Sequence, residues 1–112
     1  MKLPEQALML KIFIGESDRH NGKPLYEQIV LKARELHLAG ATVTRGILGF
    51  GASSRIHTSK VLELSEDLPV VIEIVDTEEN IGRLMPFVEE SVEGGLITLE
   101  KMKVIAYRHV KK

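Results

Sequence analysis

The chain has 112 residues, 44% of them apolar and 28% charged, with a formal net charge of −1 and no cysteine. One domain over 1–112 is expected, long enough to bury roughly two-thirds of the surface that its unfolded form exposes. Disulfides, thiolate chemistry and thiolate zinc sites are excluded, and a net negative charge offers no global field for nucleic acid. No apolar run approaches the ~18 residues of a membrane span, so a cytoplasmic location is the expectation.

Residues 8–14 form an apolar run broken only by Lys11 and bounded by Gly15, too short for a good helix, which predicts a strand. A polar linker over 15–23 follows, with Asn21-Gly22 as a turn signal. Pro24 sits where a first helical residue tolerates proline, and Leu25, Ile29, Ala33 and Leu36 then recur at helical spacing, with Gly40 as the expected stop. Strands are predicted over 41–48 and 70–75. Thr77 reads as an N-cap, with Glu78 and Glu79 suiting the positive end of a helix. Ile81, Leu84, Met85, Val88 and Val92 mark its buried face, and Pro86 inside it predicts a kink. Gly94-Gly95 ends that helix, and 96–107 reads as a last strand. Strand–helix–strand, twice over, gives βαββαβ, the ferredoxin-like α+β sandwich of a four-stranded antiparallel sheet with two helices on one face. That topology hosts many unrelated functions.

The strands are apolar on both faces. Leu8, Leu10, Ile12 and Ile14 share one face of the first strand, while Met9 and Phe13 lie on the other; Val70, Ile72 and Ile74 are answered by Val71 and Val75. Two helices cover one face of such a sheet, so a second copy of the chain is the cheapest cover for the other. Burying Met9, Phe13, Val71 and Val75 is worth on the order of 1.5–3 kcal/mol each. Lys11 and Glu73, on that same second face, either pair across it or face a wet channel.

Between the second and third strands lie about twenty residues where a hairpin needs two to five, a length typical of binding loops and lids. The stretch opens with Gly46, Gly49, Phe50 and Gly51 and runs on through Arg55, His57 and Lys60, with almost no acid before Glu63. This is the profile of a segment that meets an anion. The glycines either simply turn the chain or let successive backbone amides approach a phosphate. Arg55 and Lys60 are solvated charges or phosphate partners, and His57 is exposed or faces a ligand. Phe50 stacks on a base or plugs the core beneath the loop. Arg45, read on alternation as buried with Val43 and Ile47, needs a partner, and is a salt-bridge element or a ligand clamp. Lys101 and Lys103 share one face of the last strand, within reach of a phosphate across a subunit boundary. His20, His37 and His109 have no metal spacing, and no metal site is assigned.

The run Gly40-Ala41-Thr42-Val43-Thr44-Arg45-Gly46-Ile47-Leu48-Gly49-Phe50-Gly51 strongly resembles the PII-like proteins of the family called domain of unknown function 190. So do Ile14-Gly15-Glu16, Gly22-Lys23-Pro24-Leu25-Tyr26, Ser65-Glu66-Asp67-Leu68-Pro69 and Gly95-Leu96-Ile97-Thr98-Leu99-Glu100. The resemblance implies a homotrimer of ferredoxin-like subunits that binds an adenine nucleotide (AMP, ADP or ATP) between subunits, with no firmly bound cofactor. Carried over by position, Arg45 to Gly51 form the base of a loop that changes shape with the ligand and contacts a partner, by analogy a membrane transporter or channel. Gly94 to Lys103, which include Gly95, Lys101 and Lys103, correspond to a second loop closing over the nucleotide. The tyrosine-bearing loop and the glycine–aspartate–glycine phosphate loop of true PII proteins are missing.

Three function classes compete. The first is a non-enzymatic sensor whose connection over 49–67 responds to the nucleotide. The second is a small hydrolase or transferase acting on a phosphate-bearing substrate, with His57 as acid/base and no nucleophile set to accompany it. The third, an RNA-binding module, needs stacking aromatics on central strands, where the sequence places only Phe13; no nucleic-acid partner is expected.

Overall fold

The computed structural model describes residues 6–51 and 67–110. In chain order they form β1 (Gln6–Gly15), a small hairpin of β2 (Arg19–His20) and β3 (Lys23–Pro24), α1 (Leu25–Glu35), β4 (Thr42–Arg45), β5 (Pro69–Asp76), α2 (Glu78–Ser91) and β6 (Leu96–Lys103). The main sheet has the order β4-β5-β1-β6, with every neighbouring pair antiparallel. The two longest central strands are therefore the two most apolar segments, as the βαββαβ reading requires.

One face of the sheet meets both helices. Leu10, Ile12 and Ile14 of β1 and Val70, Ile72 and Ile74 of β5 join Leu25, Ile29 and Ala33 of α1 and Ile81, Leu84 and Val88 of α2 in one buried core. Met85 and Val92 pack against its margin. The Thr77 hydroxyl caps α2 by accepting the Asn80 N–H at 3.1 Å. Pro86 is exposed within a helix that continues past it to Ser91. On the opposite face, Met9 lies across from Val75, Phe13 from Val71 and Lys11 from Glu73. All six are half-buried. The two charges pair across the strands, Lys11 Nζ to Glu73 Oε2, at 3.8 Å.

Three of the boundaries that differ from the sequence expectation are explained by specific hydrogen bonds. β4 ends at Arg45 rather than 48 because Gly46 lies across from Pro69: the Gly46 N–H donates to the Pro69 carbonyl at 2.7 Å, and proline has no N–H to return the bond. α1 ends at Glu35, before the expected stop at Gly40. The His37 N–H donates to the Arg34 carbonyl and the Leu38 N–H to the Ala33 carbonyl, both at 3.0 Å, with His37 at φ 61°. This is a Schellman turn with histidine in the left-handed position that glycine usually fills. β6 leaves the ladder after Lys103, not at 107, and the Tyr107 hydroxyl instead donates to the Ala39 carbonyl at 2.6 Å.

Asp76 joins the two halves. Its carboxylate is fully buried and accepts three bonds: from the Ala39 N–H (2.7 Å), the Thr77 N–H (2.6 Å) and Asn80 Nδ2 (3.0 Å). The segment entering β4 is thus tied to the N-terminus of α2.

Candidate functional site

Four strand ends and one turn converge at a single end of the sheet. β1 ends at Gly15, β4 at Arg45, β5 begins at Pro69 and β6 begins at Leu96. The turn 15–18 between β1 and β2 sits among them. It is braced internally by the Gly15 N–H donating to Asp18 Oδ2 at 3.0 Å. It is also tied to the chain returning into β5, through the Glu16 N–H to the Leu68 carbonyl and the Ser17 N–H to Asp67 Oδ1, both at 2.9 Å. On the outgoing side, Arg45 Nη2 forms an ion pair with Glu16 Oε2. Both stems of the long connection are therefore fastened to the same turn.

Arg45 is not buried: its side chain is 60% exposed, against 28% for Glu16. The expectation of a buried arginine is corrected, because Arg45 is the last residue of an edge strand and no element among the described residues lies over it. Of its two sequence readings, the salt-bridge element is the one realised within the chain. Gly46 and Gly49 pass directly over the Pro69 ring; a Cβ would meet Pro69 Cγ at 2.7 Å from Gly46 and at 3.0 Å from Gly49. Small residues at these two positions let the outgoing chain lie flat on the returning one. Gly51 is exposed at the limit of the described stem. Phe50 is 68% exposed, so it does not plug the core of its own chain, and Ile47 and Leu48 beside it are exposed too. Gly95 packs at the same sheet end, its backbone so near β1 that a Cβ would stand 2.5 Å from the Phe13 carbonyl oxygen.

Lys101 and Lys103 lie elsewhere. They sit across from Leu8 and Gln6, at the far end of β1. That is about 20 Å from the Arg45 end at ~3.3 Å per residue. Within one chain they do not share a pocket with Arg45. Arg55 and His57 fall outside the described residues, as does most of the 49–67 connection. Sequence reasoning gives Glu16, Ser17, Asp18 and Asp67 no role. The signal is nonetheless there, since Ile14-Gly15-Glu16 and Ser65-Glu66-Asp67-Leu68-Pro69 are both motifs of the resemblance. What is missing is the antiparallel register that puts Gly15 across from Pro69.

A concavity of 420 Å³ opens on the non-helical face at the far end of the sheet, where Met9, Val75 and Ala41 meet Val104, Ala106 and Tyr107.

A β4-β5-β1-β6 sheet with two helices on one face and a long β4–β5 connection defines a PII-like fold. It is shared with CPII, a nitrogen regulatory PII-like protein of Thiomonas intermedia K12 whose structure holds ADP, AMP and bicarbonate; TM-score 0.60, 17% identity, 88% of each chain covered. A Thermus thermophilus protein assigned to PII-like signaling matches equally well, with a TM-score of 0.60, 19% identity, and 89% of this chain and 90% of that one covered. Residues 7–104 match the family described as uncharacterized ACR, domain of unknown function 190, and the chain belongs to that family. Among its relatives, a UPF0166 protein of Aquifex aeolicus (strain VF5) is 43% identical over 100 residues, covering 87% of this chain and 91% of the relative. Another, of Methanocaldococcus jannaschii, is 38% identical over 95 residues, covering 84% and 87%.

Proposed function

We propose that this chain is a PII-like signalling protein that binds an adenine nucleotide (AMP, ADP or ATP) as a homotrimer, with the ligand in clefts between subunits. In this reading the connection over 49–67 responds to the ligand and contacts a partner, a membrane transporter or channel being the class that PII-like proteins suggest. The role is non-enzymatic, which the signalling character of the fold neighbours supports. The observation that carries the proposal is the gathering of Arg45, Gly46, Gly49 and Gly95 at one sheet end, in a fold whose neighbour CPII holds ADP and AMP. Assembly has separate support in the half-buried apolar side chains of the non-helical face. A neighbouring subunit would also be needed to bring Lys101 and Lys103 to a ligand at the Arg45 end of another chain.

Micromolar binding requires about 8 kcal/mol net, within reach of a few charge-assisted phosphate contacts at ~1.5–3 kcal/mol each plus adenine burial. The loop switches only as far as the ligand prefers one loop state, with coupling of about 1–3 kcal/mol being typical. Isothermal titration with AMP, ADP and ATP tests the proposal: saturable heat from at least one is expected, and silence from all three refutes it.

A further inference from the structure

We infer that Glu16 is a built-in competitor at the loop base: its carboxylate holds the Arg45 guanidinium, and a phosphate-bearing ligand engages Arg45 by displacing it. Glu16 thereby sets both the affinity of the site and its selectivity for ligand charge. The inference deepens the nucleotide reading above and rests on it.

Both partners of the pair are fixed at the backbone; the Arg45 side chain is exposed and that of Glu16 half-buried. Glu16 is held by its own N–H on the Leu68 carbonyl and by the bonds of Gly15 and Ser17 on either side. Arg45 is fixed by its pairing with Val70 and by the Gly46 N–H on the Pro69 carbonyl. Rotating the Glu16 side chain away therefore disturbs no main-chain bond, and a guanidinium that is 60% exposed is open to an incoming anion. The pair engages a single guanidinium nitrogen, Nη2, whereas arginine offers five N–H donors in a fork suited to two phosphate oxygens. An exposed ion pair is weak, so exchanging the internal carboxylate for a bidentate phosphate is favourable in geometry and small in cost.

The surrounding charges say what Glu16 does to selectivity. Asp18 and Asp67 also face this turn, and their carboxylates already accept backbone N–H groups. Glu16 is the acid whose partner is Arg45. With it present, an approaching ligand meets a carboxylate on the guanidinium itself and two more on the adjoining turn. Removing its charge must then favour ligands in proportion to their own negative charge.

The test is calorimetric titration of the intact protein with adenosine, AMP, ADP and ATP at fixed ionic strength, comparing the native chain with Glu16→Gln. The expected result is a graded gain: none for adenosine, and about fivefold tighter binding for ATP, equivalent to about 1 kcal/mol. Glu16→Asp keeps the charge but shortens the reach, and should fall between the two; it also serves if Glu16→Gln does not fold. If the native chain binds nucleotide and the variants bind no tighter, or gain equally for adenosine, the inference is overturned while the proposed function stands. If neither native nor variant protein binds any of the four, the proposed function falls and the inference with it.

Discussion

Replacing Asp76 by alanine removes a carboxylate that no solvent can replace. Its Oδ2 accepts the Ala39 N–H, and its Oδ1 accepts the Thr77 N–H and Asn80 Nδ2. The substitution strands two main-chain donors at ~1–3 kcal/mol each. Thr77 still caps Asn80, so α2 keeps one brace, and the total loss should be about 3–4 kcal/mol. Against a typical stability of about 5–15 kcal/mol this is severe. Asp76→Asn should cost about 2 kcal/mol, because turning one oxygen into an NH₂ group sets a donor against a donor. Urea denaturation followed by circular dichroism at one fixed protein concentration measures both, the fixed concentration being needed because assembly adds its own dependence. A loss below about 1 kcal/mol for the alanine variant, or an asparagine variant as stable as the native chain, would refute the view that this carboxylate joins the two halves.

His37→Gly should stabilise the protein by about 0.5–1 kcal/mol, because His37 occupies the left-handed C′ position at φ 61° and the strain relieved there exceeds the entropy that glycine adds to the unfolded chain. A lower melting temperature would contradict that account. Gly95→Ala should destabilise by about 2 kcal/mol or more, since its Cβ would stand 2.5 Å from the Phe13 carbonyl oxygen and the backbone of a central strand does not yield cheaply; an unchanged denaturation midpoint would show that β6 shifts without cost.

Sequence pattern was enough for the fold because β1 and β5 are short apolar runs and the two helices carry apolar residues at helical spacing. Thr77 was legible as a cap by residue type, and Asn21-Gly22 as a turn, with Asn21 at φ 53°. Boundaries failed where specific backbone hydrogen bonds, not residue type, decide them. Pro69 halts β4 only because Gly46 lies across from it, and the stop at His37 depends on a Schellman turn that the glycine signal at Gly40 conceals. The site was legible in part. Arg45 and Gly46 stand in the motif that marks the loop base, yet Glu16, Arg45's partner 29 positions away in sequence, becomes visible only when the β1–β5 register is known. For Lys101 and Lys103, strand periodicity tells that they share a face and not which end of the sheet they occupy, which is the end opposite Arg45.

Native mass spectrometry of the purified protein, with and without added ADP and AMP, tests the central claim most directly. The account predicts one dominant species of three chain masses that gains nucleotide in whole-number steps. A single-chain species that carries no nucleotide at working concentrations, its Phe13 and Val71 face left to water, would contradict it.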